Sequence, residues 1–294
     1  MKALAPNRTI LEPADIMRHM SKRLLFATLA AGSALGPGAG AAPPSERPIL
    51  LGAAASLRNV LPDLIAAFQD AQGRPAIQVS YGASDALRLQ VEAGAPVDAV
   101  LFAAPHEVDA LVDKGLAERA TRRVIATNKL VLIGPRDGLD PGARVVVGPP
   151  SRGPTVTFKT LAMLPADARI AIGDPRSVPA GRYAKQALEA LGEWDALAPR
   201  LVLGNDVAGV LSIVRRGEAV AGFVYETDAL GVDEVKVLDP AVGPWAPRVE
   251  LVAAVIARAQ GADGARRFLD FLASPRGRAA FAEHGFGPPP DAVP

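Results

Sequence analysis

The feature that most constrains this chain is a repeated succession: a short apolar run, a loop of small residues, then a segment with helical spacing. Runs such as 48–54, 99–103 and 219–224 are apolar at nearly every position, the pattern of strands buried on both faces of a parallel sheet. The stretch 173–192, GDPRSVPAGRYAKQALEALG, condenses the motif. Asp174-Pro175 ends the apolar run 168–172, because proline cannot donate to a strand ladder and biases the residue before it away from helical geometry. Pro179 then sets a helix entry near Ala180, Ala184, Leu188 and Leu191 share one face, and Gly192 supplies a left-handed stop. The chain therefore reads as an α/β protein.

Taken in order, strands are expected at 48–54, 76–81, 99–103, 129–134, 143–147, 168–172, 201–203, 219–224 and 249–256. Ser56 is expected to head a helix through Leu57, Val60, Leu64 and Phe68, and Ser84 to cap one over 85–93, with another at 107–114. Further helices are expected from Ala180 and from Val207, the latter capped by Asn205 or Asp206. The run 219–224 delivers Tyr225 to a loop, Phe268, Leu269, Leu272 and Phe281 mark C-terminal helices, and the tail 287–294 frays.

Four loops thus share one physical form, after Ser56, after Ser84, around Ala180 and around Val207. In open α/β sheets the ligand crevice lies outside the carboxyl ends of the strands. Helix N-termini gathered there offer unpaired N–H groups and about half a positive charge each, enough for a doubly negative ion without a lysine or arginine. The plain alternative for each serine taken singly is a helix cap.

With 294 residues, 49% hydrophobic and 21% charged, the chain is long enough for two lobes of about 100 residues each. Residues 1–41 hold Arg18, Lys22 and Arg23, then the apolar run 24–35, then Ala39-Gly40-Ala41, which is the layout of a cleavable secretory signal preceded by a short upstream extension. There is no cysteine, so neither a disulfide framework nor a lipid-bearing cysteine is expected, and an exported periplasmic chain follows. From Ala42 onward 27 basic residues face 29 acidic ones. Nothing in that balance points to nucleic acid or a membrane surface as partner.

Over residues 49–286 the chain resembles the periplasmic molybdate-binding proteins of bacterial molybdate ABC transporters, within the type II periplasmic-binding-protein superfamily. The resemblance rests on AAASL at 53–57, VEAGAPVD at 91–98, GDPRSVPAGRYAKQAL at 173–188, NDVAGVLSIV at 205–214 and FVYETDA at 223–229. It implies a two-lobed fold, each lobe a mixed, mostly parallel sheet flanked by helices, with the ligand cleft between them. It also implies a molybdate or tungstate site made of Ser56, Ser84, Ala180, Val207 and Tyr225, through hydroxyl and backbone donors. Molybdenum would be held as its oxyanion, with no direct metal coordination, no cofactor and no catalysis. The partner would be a membrane ABC permease and the receptor a monomer. Asp85 departs from the family's serine- and glycine-rich second loop and is expected to point away from the cleft, in the first turn of its own helix.

Lobe one is expected to combine 42–126 with 228–294, and lobe two to span 127–227. Other readings are a receptor for sulfate or ferric ion, or a secreted serine hydrolase. Ferric receptors need clustered tyrosines, and this chain has only Tyr81, Tyr183 and Tyr225. Neither serine lies in a G-x-S-x-G turn, and His106 and His284 lack triad context. Arg176 and Arg182, beside the central motif, read as solvent-facing charges.

Overall fold

The computed structural model describes residues 47–72, 76–136 and 156–290. The expected signal segment, the strand at 143–147 and the end of the tail lie outside them. The first part runs β1 (Ile49–Ala54), α1 (Leu61–Gln72), β2 (Ile77–Gly82), α2 (Ser84–Glu92), β3 (Ala99–Phe102), α3 (Pro105–Asp113), β4 (Arg123–Asn128) and β5 (Leu130–Pro135). It continues with β6 (Ile170–Gly173), α4 (Pro179–Ala190), α5 (Trp194–Leu197), β7 (Leu201–Gly204), α6 (Val207–Arg215), β8 (Ala221–Tyr225) and α7 (Glu226–Ala229). β9 (Val235–Pro240), β10 (Val249–Val255), α8 (Ala262–Ala273) and α9 (Pro275–Glu283) close the chain.

Two five-stranded sheets result, in the orders β2-β1-β3-β10-β4 and β7-β6-β8-β5-β9. Each has three parallel strands at one side, extended by antiparallel strands at the other. The fully apolar runs sit where both faces are covered: β1, β3, β8 and β10 are buried along almost their whole length. Leu57, Leu61, Leu64 and Phe68 pack with Phe268, Leu269 and Leu272 over the first sheet, while Ala184, Ala187 and Leu188 pack with Phe158 and Phe223 over the second.

The structure departs from the sequence expectations at several places: Ala83, not Ser84, is the cap of α2, and the short helix α7, not a loop, follows Tyr225. β4 and β9 are strands that apolar runs do not announce, because both are edge strands with only part of their residues buried. Since β9 pairs with β5 from Val131↔Pro240 to Pro135↔Val235, the chain stays with the second sheet through residue 240. It rejoins the first sheet at β10 rather than at 228. Ser56 does not head α1: it lies in a single 3-10 turn, Ala55–Leu57, and α1 starts at Leu61.

Candidate functional site

The carboxyl ends of β1 and β2 in the first sheet face those of β6, β7 and β8 in the second, and one cavity lies between them. It is lined by Ala54, Ala55, Ser56, Gly82, Ala83, Ser84, Ala103, Val178, Pro179, Ala180, Asp206, Val207 and Tyr225. All five sequence-derived candidates are thus brought together. Its volume, measured as the space open to the centre of a water-sized sphere, is about 20 Å3. Pockets for drug-sized organic ligands run to about 300–1,000 Å3, so this one suits a ligand of a few atoms.

Each candidate is placed by its local backbone. Ser84 is the first residue of α2, with Ala83 as cap, and its Oγ accepts from the Ala103 N–H at 3.2 Å, which leaves its hydrogen to donate. Ala180 follows Pro179 in the first turn of α4, among the N–H groups a helix leaves without intrahelical partners. Val207 opens α6, where the Asp206 side chain caps by accepting from the Gly209 N–H at 2.8 Å. Tyr225 ends β8 and is 2% exposed.

The sharpest observation concerns hydroxyls. Among the described residues, the buried side-chain polar atoms without a hydrogen-bond partner are Ser56 Oγ, Tyr225 Oη and Arg182 Nε. Two of the three belong to residues that line this cavity. A buried hydroxyl left unpaired costs about 1–3 kcal/mol, and such groups in a folded protein call for a partner. Both belong to residues of the cavity wall, where a bound ligand could supply the missing partner.

The electrostatics select the ligand's character. Among the described residues no lysine or arginine lines the cavity, and Asp206 is the one charged residue of its lining. Asp85 is turned to Arg88 in the first turn of α2, at 2.7 Å from Nη2. Burial, and then the charges of Tyr183 and Asp228, push the Tyr225 phenol well above its ordinary value against the pull of Arg182. Tyr225 therefore stays a donor. Apart from Asp206, whose carboxylate is engaged as the cap of α6, the lining side chains are hydroxyls and apolar groups beside helix N-termini, a set that fits a small species rich in acceptors. His106 and His284 pair with Glu107 and Asp63, so neither serine has a base beside it.

This chain matches, over residues 49–287, the family described as bacterial extracellular solute-binding protein. It is 36% identical over 251 residues to the molybdate-binding protein ModA of Escherichia coli, covering 84% of this chain and 92% of that protein. The chain belongs to the bacterial extracellular solute-binding protein family. This solute-binding protein is also similar in structure, at a TM-score of 0.61 and 31% identity, to the substrate-binding domain of a putative molybdenum ABC transporter from Clostridium difficile. That match covers 82% of this chain and 98% of the other. The periplasmic molybdate-binding protein of Azotobacter vinelandii shares the fold, at a TM-score of 0.69 and 22% identity, over 82% and 99% of the two chains.

Sequence reasoning missed two features of this solute-binding protein's site. Ala103, just past β3, lines the cavity and donates its N–H to Ser84. It occupies in the first sheet the strand-end place that Tyr225 holds in the second, and the apolar run 99–103 hides it. Arg182 is not the solvent-facing charge expected: its side chain is 27% exposed and ion-paired to Glu107.

Proposed function

We propose that this solute-binding protein is an exported receptor that captures molybdate, and tungstate with it, between two lobes and delivers it to an ABC permease. The observation that carries this reading is the pair of buried, partnerless hydroxyls of Ser56 and Tyr225, two residues that line one small cavity beside the N-termini of α2, α4 and α6, with no cationic side chain in its lining among the described residues. The tetrahedral dianion accepts from every side. It would take hydrogen bonds from the Ser56 and Ser84 hydroxyls and N–H groups, the Ala180 and Val207 N–H groups and the Tyr225 hydroxyl.

The two sheets with their helices are the two lobes in this reading. Val178, Ala180, Val207 and Tyr225 pack in one buried cluster with Ala54, Ala55 and Leu57, so the cavity sits where the lobes meet. A ligand that touches both lobes favours the closed arrangement over an open one by its contacts on the far side. The permease would read that closed form. The signal-like leader supports a periplasmic location, and the receptor acts by binding rather than catalysis.

Size and protonation set selectivity. Sulfate is smaller and leaves some fixed donors unsatisfied, at about 1–3 kcal/mol each. Phosphate that carries a proton needs an acceptor, and the lining side chains that accept are the hydroxyls and the Asp206 carboxylate, which already caps α6 by accepting from the Gly209 N–H. Titration calorimetry on Ser56→Ala and Tyr225→Phe tests the donor set. Each should weaken molybdate binding by about 1.5–3 kcal/mol, the range for a hydrogen bond to a charged group, with the ligand-free melting temperature of Tyr225→Phe little changed. Affinities equal to wild type in both variants would remove these hydroxyls from the site.

A further inference from the structure

One buried carboxylate outside the cavity joins elements of both sheets. Glu107, in the first turn of α3, is 3% exposed at its side chain. Its Oε2 accepts from Arg88 Nε at 2.6 Å, and Arg88 also reaches Asp85 and Glu92 on its own helix, α2. Its Oε1 faces Arg182 Nη2 at 2.5 Å and His106 Nε2 at 2.8 Å. Burial alone would raise the Glu107 pKa, but hydrogen bonds from His106 and Arg88 and the charge of Arg182 bring it down to about 2. It is therefore ionised at any working pH.

The placement of the two arginines gives this cluster its meaning. Arg88 lies one turn beyond Ser84 on α2, and Arg182 lies two residues beyond Ala180 on α4. α2 and α3 pack on the first sheet, with Leu87, Val108 and Leu111 in one cluster with Val100 and Phe102. α4 packs on the second sheet. We propose that Glu107 and Arg182 form an ionic clasp across the cleft, which positions the N-termini of α2 and α4 around the bound oxyanion and slows its release. The inference rests on the oxyanion-receptor reading and deepens it.

Three features of the geometry argue for a clasp over an incidental surface pair. Glu107 is already held by Arg88 within its own lobe, so its second oxygen is presented to Arg182 with little side-chain freedom left to lose. The pair is largely removed from water, where the attraction is screened less. Arg182 Nε is itself buried without a partner, so the guanidinium's place in the closed cleft depends on the Glu107 contact. If the lobes part, Arg182 returns to solvent and the contact is lost. The pair thus contributes to the closed form and leaves the open lobes unaffected.

Stopped-flow release of molybdate from wild type, Glu107→Gln, Arg182→Gln and the double variant tests this. Arg176→Gln serves as control, since Arg176 is exposed and pairs only with Asp174 in its own loop. Each single variant should release molybdate roughly tenfold faster with an unchanged association rate, and the double variant no faster than the singles. Arg176→Gln should match wild type, and the ligand-free melting temperature of Arg182→Gln should not move. A wild type that holds molybdate, with Arg182→Gln releasing it at the wild-type rate, would overturn the clasp alone, as would additive effects in the double variant. A wild type that holds no molybdate would overturn the receptor reading and the clasp with it.

Discussion

In the proposed reading Ser56 and Tyr225 carry the site, because each has a buried hydroxyl without a hydrogen-bond partner. Their companion Asp228 shows how closely the ground around Tyr225 is tuned. Asp228 accepts from the Tyr225 N–H at 3.0 Å. Burial drives its pKa up from 3.8 to about 7, the Tyr225 hydrogen bond opposes the rise, and the charge of Asp206 adds to it. Its folded pKa is thus higher than its unfolded one. The folded state keeps a proton that the unfolded chain gives up, so this group's stabilising contribution is present below about pH 4 and is lost as pH rises towards about 7. Asp228→Asn keeps an acceptor for the Tyr225 N–H and has nothing to titrate. Thermal melts of the ligand-free protein should show the variant gaining on wild type as pH rises from about 5 to about 8. A constant difference across that range would mean Asp228 is ionised throughout.

At the scale of elements, α4 depends on a missing side chain. A Cβ on Gly181 would stand 2.0 Å from the carbonyl oxygen of Gly173 and 2.6 Å from its carbon. The first turn of α4 can therefore lie against the end of β6 only if residue 181 is glycine. Gly181→Ala must lift that turn and take the Ala180 N–H with it. The expected result is a loss of roughly 1–3 kcal/mol in stability, the usual range for overpacking, together with molybdate binding weakened about tenfold or more. Melting curves and calorimetry check both, and unchanged affinity would separate Ala180 from the site.

Much of this level was legible in the sequence. Asp174-Pro175, Pro179 and the apolar spacing beyond them placed the start of α4 within a residue or so, and Asp206 was among the caps named for α6. Edge strands were not legible, because β9, with Lys236 and Asp239 beside its valines and leucine, buries only part of its length. The turn at Ser56 was misread as a helix start, since Leu57, Val60 and Leu64 keep helical spacing through a break that Pro62, in the first turn of α1, marks locally. The Glu107–Arg182 contact was beyond reach for another reason: 75 residues separate its partners, and no local pattern reports that.

Across the whole molecule, the two sheets repeat one plan. The first and second parallel strands of one sheet end at Ser56 and Ser84, and their counterparts in the other lead to Ala180 and Val207. In the proposed reading each half supplies donors from equivalent strand ends, so a tetrahedral ion held between them would be gripped from opposite sides and closure and recognition would be one event. The sequence disclosed this plan through its repeated strand-to-helix loops, while the order of strands that brings the loops face to face belongs to tertiary structure. In the proposed reading the cleft takes a fully deprotonated tetrahedral oxyanion by neutral donors fixed for the larger members of that class. Calorimetric titration of the chain from Ala42 onward with molybdate, tungstate, sulfate and phosphate at one pH tests it most directly. The account predicts one site per chain for molybdate and tungstate, with sulfate and phosphate weaker by at least about tenfold, as one unsatisfied donor would make them. Sulfate or phosphate binding as tightly as molybdate, or no saturable molybdate site, would contradict it.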